Sequence, residues 1–219
     1  SRRQRQMCIR DRFKVEVGND ANMAALGEMW LGAGRGHKNL VMVTLGTGVG
    51  GGVIVGGRPL VGTNGAGGEI GHILANRQET DKCGCGKKGC LEQYASATGI
   101  ARLARIRLAK NNDMTLLRGQ EITAKAVFDA LKEGDKVAEE IVEEFGAYLG
   151  YALADVAAVI DPSMFIIGGG VSKAGPIIIQ YVKKYFLEKA FFANEGTEFI
   201  IAVLGNDAGI CGAAKLILG

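Results

Sequence analysis

No apolar run in this sequence reaches the ~18 residues that a membrane-spanning helix needs, and no signal-peptide pattern stands ahead of its first predicted strand. Membrane partners are therefore not expected, and a cytoplasmic protein is. The signature G-x-x-x-x-G-K-[ST] is missing, which excludes the P-loop way of holding a nucleoside triphosphate. The 34 glycines fall in short runs without a fixed period, so collagen-like and low-complexity chains are excluded too. Cysteine is scarce and odd in number: five, three of them between positions 83 and 90. Such crowding argues against a secreted disulfide framework and for a metal site in a reducing compartment. A basic surplus is lacking once the first twelve residues are set apart. Removing their five arginines from 26 basic side chains, and their one aspartate from 23 acidic ones, leaves a net charge of −1. A body so near neutral has no general attraction for nucleic acid. The leader Ser1–Arg12 has no apolar periodicity and reads as extraneous or disordered.

What is there is concentrated in one polar, Gly-rich stretch, Gly68–Glu92, GEIGHILANRQETDKCGCGKKGCLE. It holds His72, one of two histidines, together with Cys83, Cys85 and Cys90. Three thiols and an imidazole make a closed tetrahedral set that suits zinc. Glu69 and Glu92 bracket them. A metal that folds this loop would aim both carboxylates at a common target.

Around this stretch the chain reads as α/β. Phe13–Val17 alternates apolar and polar residues, as a half-buried strand does. Gly18–Asn22 then reads as a turn with a helix-capping residue, and a helix is predicted over Met23–Gly34, fraying at its glycines. Asp20 has two readings here: a helix cap, or a general base at the carboxyl end of a strand, where α/β folds put their chemistry. Leu40–Leu45 is predicted as a buried strand and Val53–Val55 as its hairpin partner, with the seven residues Gly46–Gly52 as a glycine-rich tip. Gly46, Gly48 and Gly51 formally match G-x-G-x-x-G, but a strand follows instead of a helix, so a dinucleotide site is not expected. The backbone N–H groups of such a tip, with the Thr47 hydroxyl, can wrap phosphates; alternatively the glycines serve only the turn.

A helix is predicted from Glu92 through Ala104 to Lys110, a short one over Thr123–Lys132, and a long one from Gly134-Asp135 to Ile160. The long helix places Val137, Ile141, Phe145, Leu149, Ala152 and Val156 inward and Glu139, Glu140, Glu143 and Glu144 toward water. Met164–Ile167 reads as a strand, Gly168-Gly169-Gly170 as a tight turn and Pro176–Leu187 as a helix. In that setting a nucleotide's backbone or ribose can approach closely. Phe199–Leu204 and Asp207–Leu218 are a last strand and a last helix. Val17-Gly18-Asn19-Asp20-Ala21 recurs as Leu204-Gly205-Asn206-Asp207-Ala208, which fits two related α/β halves. His37 reads as surface and Cys211 as core; Cys8 lies in the leader.

In this order, VGNDANMAALGE, TLGTGVGGGVIVGG, GGEIGH, CGCGKKGCLE and FIIGGGVS resemble the ROK family of bacterial sugar kinases and repressors, and most of all its glucokinases. The resemblance runs from Phe13 to Gly219. It implies an α/β fold of the actin-like ATPase, ribonuclease H-like kind, mainly its large C-terminal lobe (25–200), with 203–219 returning to the small lobe. It implies ATP-dependent phosphorylation of glucose or a related hexose at the 6-hydroxyl, with Mg2+ and Zn2+. Asp20 matches the base that takes the hydroxyl proton. Asn19, Glu69, His72 and Glu92 match the sugar ligands, and His72, Cys83, Cys85 and Cys90 the zinc ligands. Gly46, Thr47, Gly48 and Gly50 match the loop facing the ATP phosphates, and Gly168, Gly169 and Gly170 the turn near the adenosine. Asp207 matches no catalytic role. A homodimer or tetramer through the large lobe is the implied assembly. The start departs from the family, whose members carry a D-x-G-G-T phosphate motif on an early hairpin; twelve unrelated residues precede Phe13 here. A chain lacking most of the small lobe, weakly active or inactive alone, is the expectation. Kinases of other hexoses or amino sugars, and sugar-responsive repressors, are the alternatives within the family.

Overall fold

The computed structural model describes residues 16–218. The leader, Cys8 and residues 13–15 of the first predicted strand lie outside them, and Glu16 and Val17 belong to no strand. In chain order the elements are α1 (Asp20–Leu31), β1 (Leu40–Leu45), β2 (Val49–Val55), β3 (Arg58–Pro59), α2 (Glu92–Ala95), α3 (Ala97–Lys110), α4 (Ala124–Lys132), α5 (Lys136–Ile160), β4 (Met164–Gly168), α6 (Ile177–Lys189), β5 (Glu198–Ile201) and α7 (Asp207–Leu218). Short 3₁₀ segments stand at Ile70–His72, Gly170–Ala174 and Phe192–Asn194.

The strands form one mixed sheet in the order β3-β2-β1-β4-β5. β1 runs antiparallel to β2, with Leu40 opposite Ile54, and parallel to β4, with Leu40 opposite Met164. β1 and β4 are apolar on both faces because helices cover both. Val41, Val43, Leu45, Phe165 and Ile167 point into the larger core under α3, α4, α5 and α6. Leu40, Met42, Met164 and Ile166 point the other way, toward α1. The inward stripe of α5 is buried as its spacing predicts. Asp135 caps this helix by accepting from the Val137 and Ala138 amides, and Asp161, at φ 50°, ends it in the left-handed region. The glutamate face is less purely solvated than expected. Glu143 accepts from Lys184 Nζ at 2.8 Å and Tyr185 Oη at 2.7 Å, tying α5 to α6, and Glu140 pairs with Arg107 at 2.6 Å.

Several boundaries differ from the sequence expectation, among them the start of α1, which is Asp20 and not Met23. The helix predicted from Glu92 to Lys110 is broken at Ser96, whose Oγ donates to Glu92 O (2.6 Å) and accepts from Gly99 N (2.9 Å), ending α2 and capping α3. The hairpin's second strand begins at Val49, so Gly50, Gly51 and Gly52 are strand residues and not a tip. The last strand stops at Ile201. The Ala202 amide still donates to Ile167 O (2.9 Å), but the Val203 and Leu204 amides turn to Glu28 Oε1 instead, at 3.0 and 2.8 Å. Glu28 is fully buried near the end of α1, and its Oε2 accepts from Ala33 N at 2.8 Å. It therefore fastens α1 to the segment leading into α7. The two helices, each opened by one copy of the sequence echo, pack closely against each other: a Cβ at Gly212 would lie 1.7 Å from Met23 O. Neither copy directly follows a strand among the described residues. Cys211 is only half-buried, not core, and His37 is half-buried with its Nδ1 2.9 Å from Ser163 Oγ.

Candidate active site and metal centre

Glycines in β2 seat the functional segments. Successive strand residues face opposite sides of a sheet. A Cβ at Gly52 would lie 2.2 Å from Ala21 O, and one at Gly51 would lie 2.3 Å from Gly68 O. The first turn of α1, with Asp20, thus rests directly on one face of β2, and the loop carrying Glu69 rests on the other. The turn before β2 meets the third acid, since a Cβ at Gly48 would lie 2.8 Å from Glu92 Oε2. Gly46 N donates to Gly48 O (3.0 Å), and the start of α3 is tied to this turn by Thr98 Oγ1 donating to Thr47 O (2.8 Å) and Ala97 N donating to Gly46 O (2.8 Å). Thr47 itself is exposed. Gly50 lies opposite Thr44 inside the strand, outside the turn it was grouped with.

Asp20 is not the helix cap. Asn19 is the cap: its Oδ1 accepts from Ala21 N at 2.9 Å and Asn22 N at 3.3 Å. Asp20 is the first residue of α1, exposed, with its Oδ1 accepting only from Ala21 N at 2.8 Å among the described contacts. A carboxylate here sits at the positive end of a helix. With Oδ1 committed, Asn19 offers a ligand its amide NH2.

Before the cysteines, the loop from Ile73 folds back on itself. Leu91 N donates to Ile73 O (2.9 Å) and Ala75 N to Gly89 O (2.7 Å), while Cys83 N donates to Lys87 O (2.7 Å), forming a tight turn around Cys85. This brings together the four predicted ligands. His72 Nδ1 is 3.8 Å from Cys83 Sγ, Cys85 Sγ is 3.6 Å from Cys90 Sγ, and all four ligand atoms lie within 4.8 Å of one another. A tetrahedral zinc with bonds of ~2.3 Å to sulfur has ligand–ligand edges of about 3.8 Å, so the set fits that ion with small adjustments. Burial first, then donation to Glu92, pushes the Cys83 thiol up to about 12. Burial, then Cys85, also raises Cys90, whereas the Lys87 N–H foremost lowers the exposed Cys85. Burial thus favours the protonated form of Cys83 and Cys90, and a bound cation would have to take them as thiolates.

Both carboxylates meet the imidazole. Glu92 Oε1 accepts from Cys83 Sγ (2.8 Å) and lies 3.9 Å from His72 Nδ1, while Glu69 Oε2 lies 4.0 Å from His72 Nε2. One ring nitrogen therefore faces the sulfurs and the other faces Glu69. Two clefts flank the start of α3. One, of about 510 Å³, is lined by Thr47, Gly48, Cys83, Glu92 and Arg102. The other, of about 330 Å³, lies between Phe128 and Lys132 on α4 and Gly170 and Val171 after β4. Gly168 belongs to β4, and the turn proper begins at Gly169, where φ is 82° and a Cβ would lie 2.5 Å from Leu45 O. A cavity of about 720 Å³ beside Leu74, Tyr148 and Tyr151 contains none of the predicted site residues. Glu28, Glu79, Tyr94 and Arg102 belong to no spacing pattern, so the sequence offers no signal that would single them out.

A mixed sheet covered on both faces, with glycine turns at the carboxyl ends of β1 and β4, is the architecture of actin-like ATPase sugar kinases and their relatives. The ROK family model matches residues 7–219, and the chain belongs to the ROK family. It is 46% identical over 211 residues to a glucokinase of Halalkalibacterium halodurans, covering 94% of this chain and 64% of that protein. It is 35% identical over 205 residues to an N-acetylmannosamine kinase of Escherichia fergusonii, covering 92% of this chain and again 64% of the relative. The structure superposes on a ROK family glucokinase from Streptomyces griseus, solved in complex with glucose and AMPPNP, with a TM-score of 0.83 and 39% identity over 95% of this chain and 70% of that one. The chain thus spans just under two thirds of the length of these two curated relatives.

Proposed function

We propose that the protein is a sugar kinase that moves the γ-phosphoryl group of ATP to the 6-hydroxyl of glucose, with Asp20 as the base. The observation that carries this is the common floor: glycines of one hairpin seat the Asp20 helix, the Glu69 loop and Glu92 around a single strand end. Phosphoryl transfer needs alignment, charge neutralisation and an acceptor for the hydroxyl proton. Asp20 takes that proton as the new O–P bond forms and the bond to ADP breaks. Glu69, Glu92 and His72 Nε2 pair with ring hydroxyls, and the Asn19 amide donates to one. Backbone N–H groups of the Gly46-Thr47-Gly48 turn other than Gly46 N, which donates to Gly48 O, face the phosphates, and the 330 Å³ cleft beside Gly170 takes the adenosine. Mg2+ bound with ATP would offset phosphate charge. His72, Cys83, Cys85 and Cys90 would hold Zn2+; four protein ligands close its shell, which makes its role one of shaping the sugar site.

Residues 25–200 make up the large lobe in this proposal and 203–219 return to the small one, with a homodimer or tetramer formed through the large lobe and a cytoplasmic setting. Asp20→Asn in the full-length protein tests the base: turnover in a coupled ADP assay should fall by about 10² to 10⁴ while glucose binding persists. Near-normal turnover removes Asp20 from the role. The similarity to an N-acetylmannosamine kinase supports a second sugar as the alternative; comparing kcat/KM for glucose and N-acetylmannosamine decides between them.

A further inference from the structure

Ahead of the cysteines, residues 76–82 are held by a network that uses none of the four candidate metal-ligand atoms. Glu79 is its centre, with a side chain only 6% exposed. Its Oε1 accepts from the Thr80 and Asp81 amides, both at 2.9 Å. Its Oε2 accepts from Tyr94 Oη and forms an ion pair with Arg102 Nη2 at 2.8 Å. Four donors fill the acceptor capacity of a carboxylate. Arg102 Nη2 also reaches Asp81 Oδ2 at 2.9 Å, and its guanidinium lies 5.7 Å from the Tyr94 ring centre. That ring stacks on Tyr148 of α5 at 4.0 Å, and Asn76 Nδ2 donates to Tyr94 Oη at 3.1 Å. Gln93 joins the two ends of the loop: its Nε2 donates to Asp81 O and its Oε1 accepts from Cys90 N, each at 3.1 Å.

We propose that Glu79, Tyr94 and Arg102 form a clamp that presets the Cys/His loop before any metal arrives and fixes the short helix α2, and with it Glu92. An exposed ion pair would contribute little. Here the Glu79 side chain is buried and Arg102 partly so, and the pair is charge-assisted and shared among the loop, α2 and α3, with α5 behind it. Tyr94 stands two residues after Glu92 on a four-residue helix, so the same rigid turn carries the clamp and the carboxylate that faces Cys83. Glu79 touches no ligand atom and is a positioning residue. The part of the proposal that concerns Glu92 rests on its assignment to the sugar site; the part that concerns the metal loop does not.

Cobalt(II) titration of the metal-free full-length protein, read by thiolate-to-cobalt absorption, tests it. Glu79→Gln and Arg102→Met should each weaken cobalt binding by about 10- to 100-fold, and their double variant should lose less than the product, since both cut one network. Cys83 and Cys90 should also react faster with a thiol reagent in the metal-free variants. Val182→Ala, a core truncation between α5 and α6, lowers stability without touching the clamp and should leave both readouts unchanged. Wild-type cobalt affinity and thiol reactivity in Glu79→Gln, or an equal shift in Val182→Ala, overturns the clamp. In the glucose assay Glu79→Gln should raise KM and spare kcat. A changed metal affinity with an unchanged KM overturns the link to Glu92. A wild type without glucose turnover counts against the proposed function instead, and the clamp then stands or falls on cobalt affinity and thiol reactivity alone.

Discussion

Glu28→Gln is a nearly isosteric change with a large expected cost. The native carboxylate is fully buried and divides its work: Oε1 serves the Val203 and Leu204 amides, Oε2 the Ala33 amide. Glutamine keeps one oxygen. If that oxygen stays on Val203 and Leu204, its NH2 points at the Ala33 N–H, donor against donor. A buried donor left without a partner costs about 1–3 kcal/mol, and the two bonds that survive fall from charge-assisted strength, roughly 1.5–3 kcal/mol, to about 1. Removing a buried charge returns part of its desolvation energy, so the net loss should be about 3 kcal/mol, a large share of the roughly 5–15 kcal/mol of a native fold. With a urea slope of ~3 kcal/mol/M at the upper end for small proteins, the midpoint should drop by about 1 M. Urea unfolding at pH 7, followed by far-UV circular dichroism, measures it. A midpoint within about 0.2 M of wild type, at that slope, would refute the claim that Glu28 fastens α1 to the segment before α7.

Cys83→Ser should abolish stoichiometric zinc and loosen the loop, as removing a ligand from a closed shell does; full zinc content by elemental analysis would sink the site. Burial alone would raise the Glu79 carboxyl, but hydrogen bonds from Tyr94, the Asp81 amide and Arg102 outweigh it and bring it from 4.5 down to about 2. A depressed carboxyl stabilises above its unfolded value and ceases to as pH falls through its folded one. The stability gap between wild type and Glu79→Gln should therefore be full above pH 4.5, on the order of 3 kcal/mol at most, and close as pH falls toward 2; a gap unchanged down to that pH contradicts this. Gly212→Ala places a methyl 1.7 Å from Met23 O and should cost about 1–3 kcal/mol by prising α1 from α7, which a thermal melt reads as a lowered Tm.

Much of the frame was legible because it depends on neighbours in the chain. The three- and four-residue spacing of Val137 through Val156 marked the buried stripe of α5, and the apolar runs at Leu40 and Met164 marked strands covered on both faces. The boundaries that failed were decided at a distance. Ser96 breaks a helix whose next residue is tied to Gly46, and the strand after Glu198 ends where Glu28, 175 residues before Val203, captures its amides.

The site divides the same way. By itself the sequence marked His72, Cys83, Cys85 and Cys90 as a candidate ligand set, because a closed metal shell needs such atoms close together and the short loop lets the chain supply them. Likewise it marked Asp20, Glu69 and Glu92 as the acids worth placing. Only the tertiary structure decided that Asn19 takes the helix cap and leaves Asp20 exposed, that β2 glycines seat the segments carrying Asp20 and Glu69 while Gly48, in the turn before β2, meets Glu92, and that Glu79 and Arg102 hold the loop. Those choices turn on which buried group receives which donor across the fold, and that competition is settled by packing rather than by spacing along the chain.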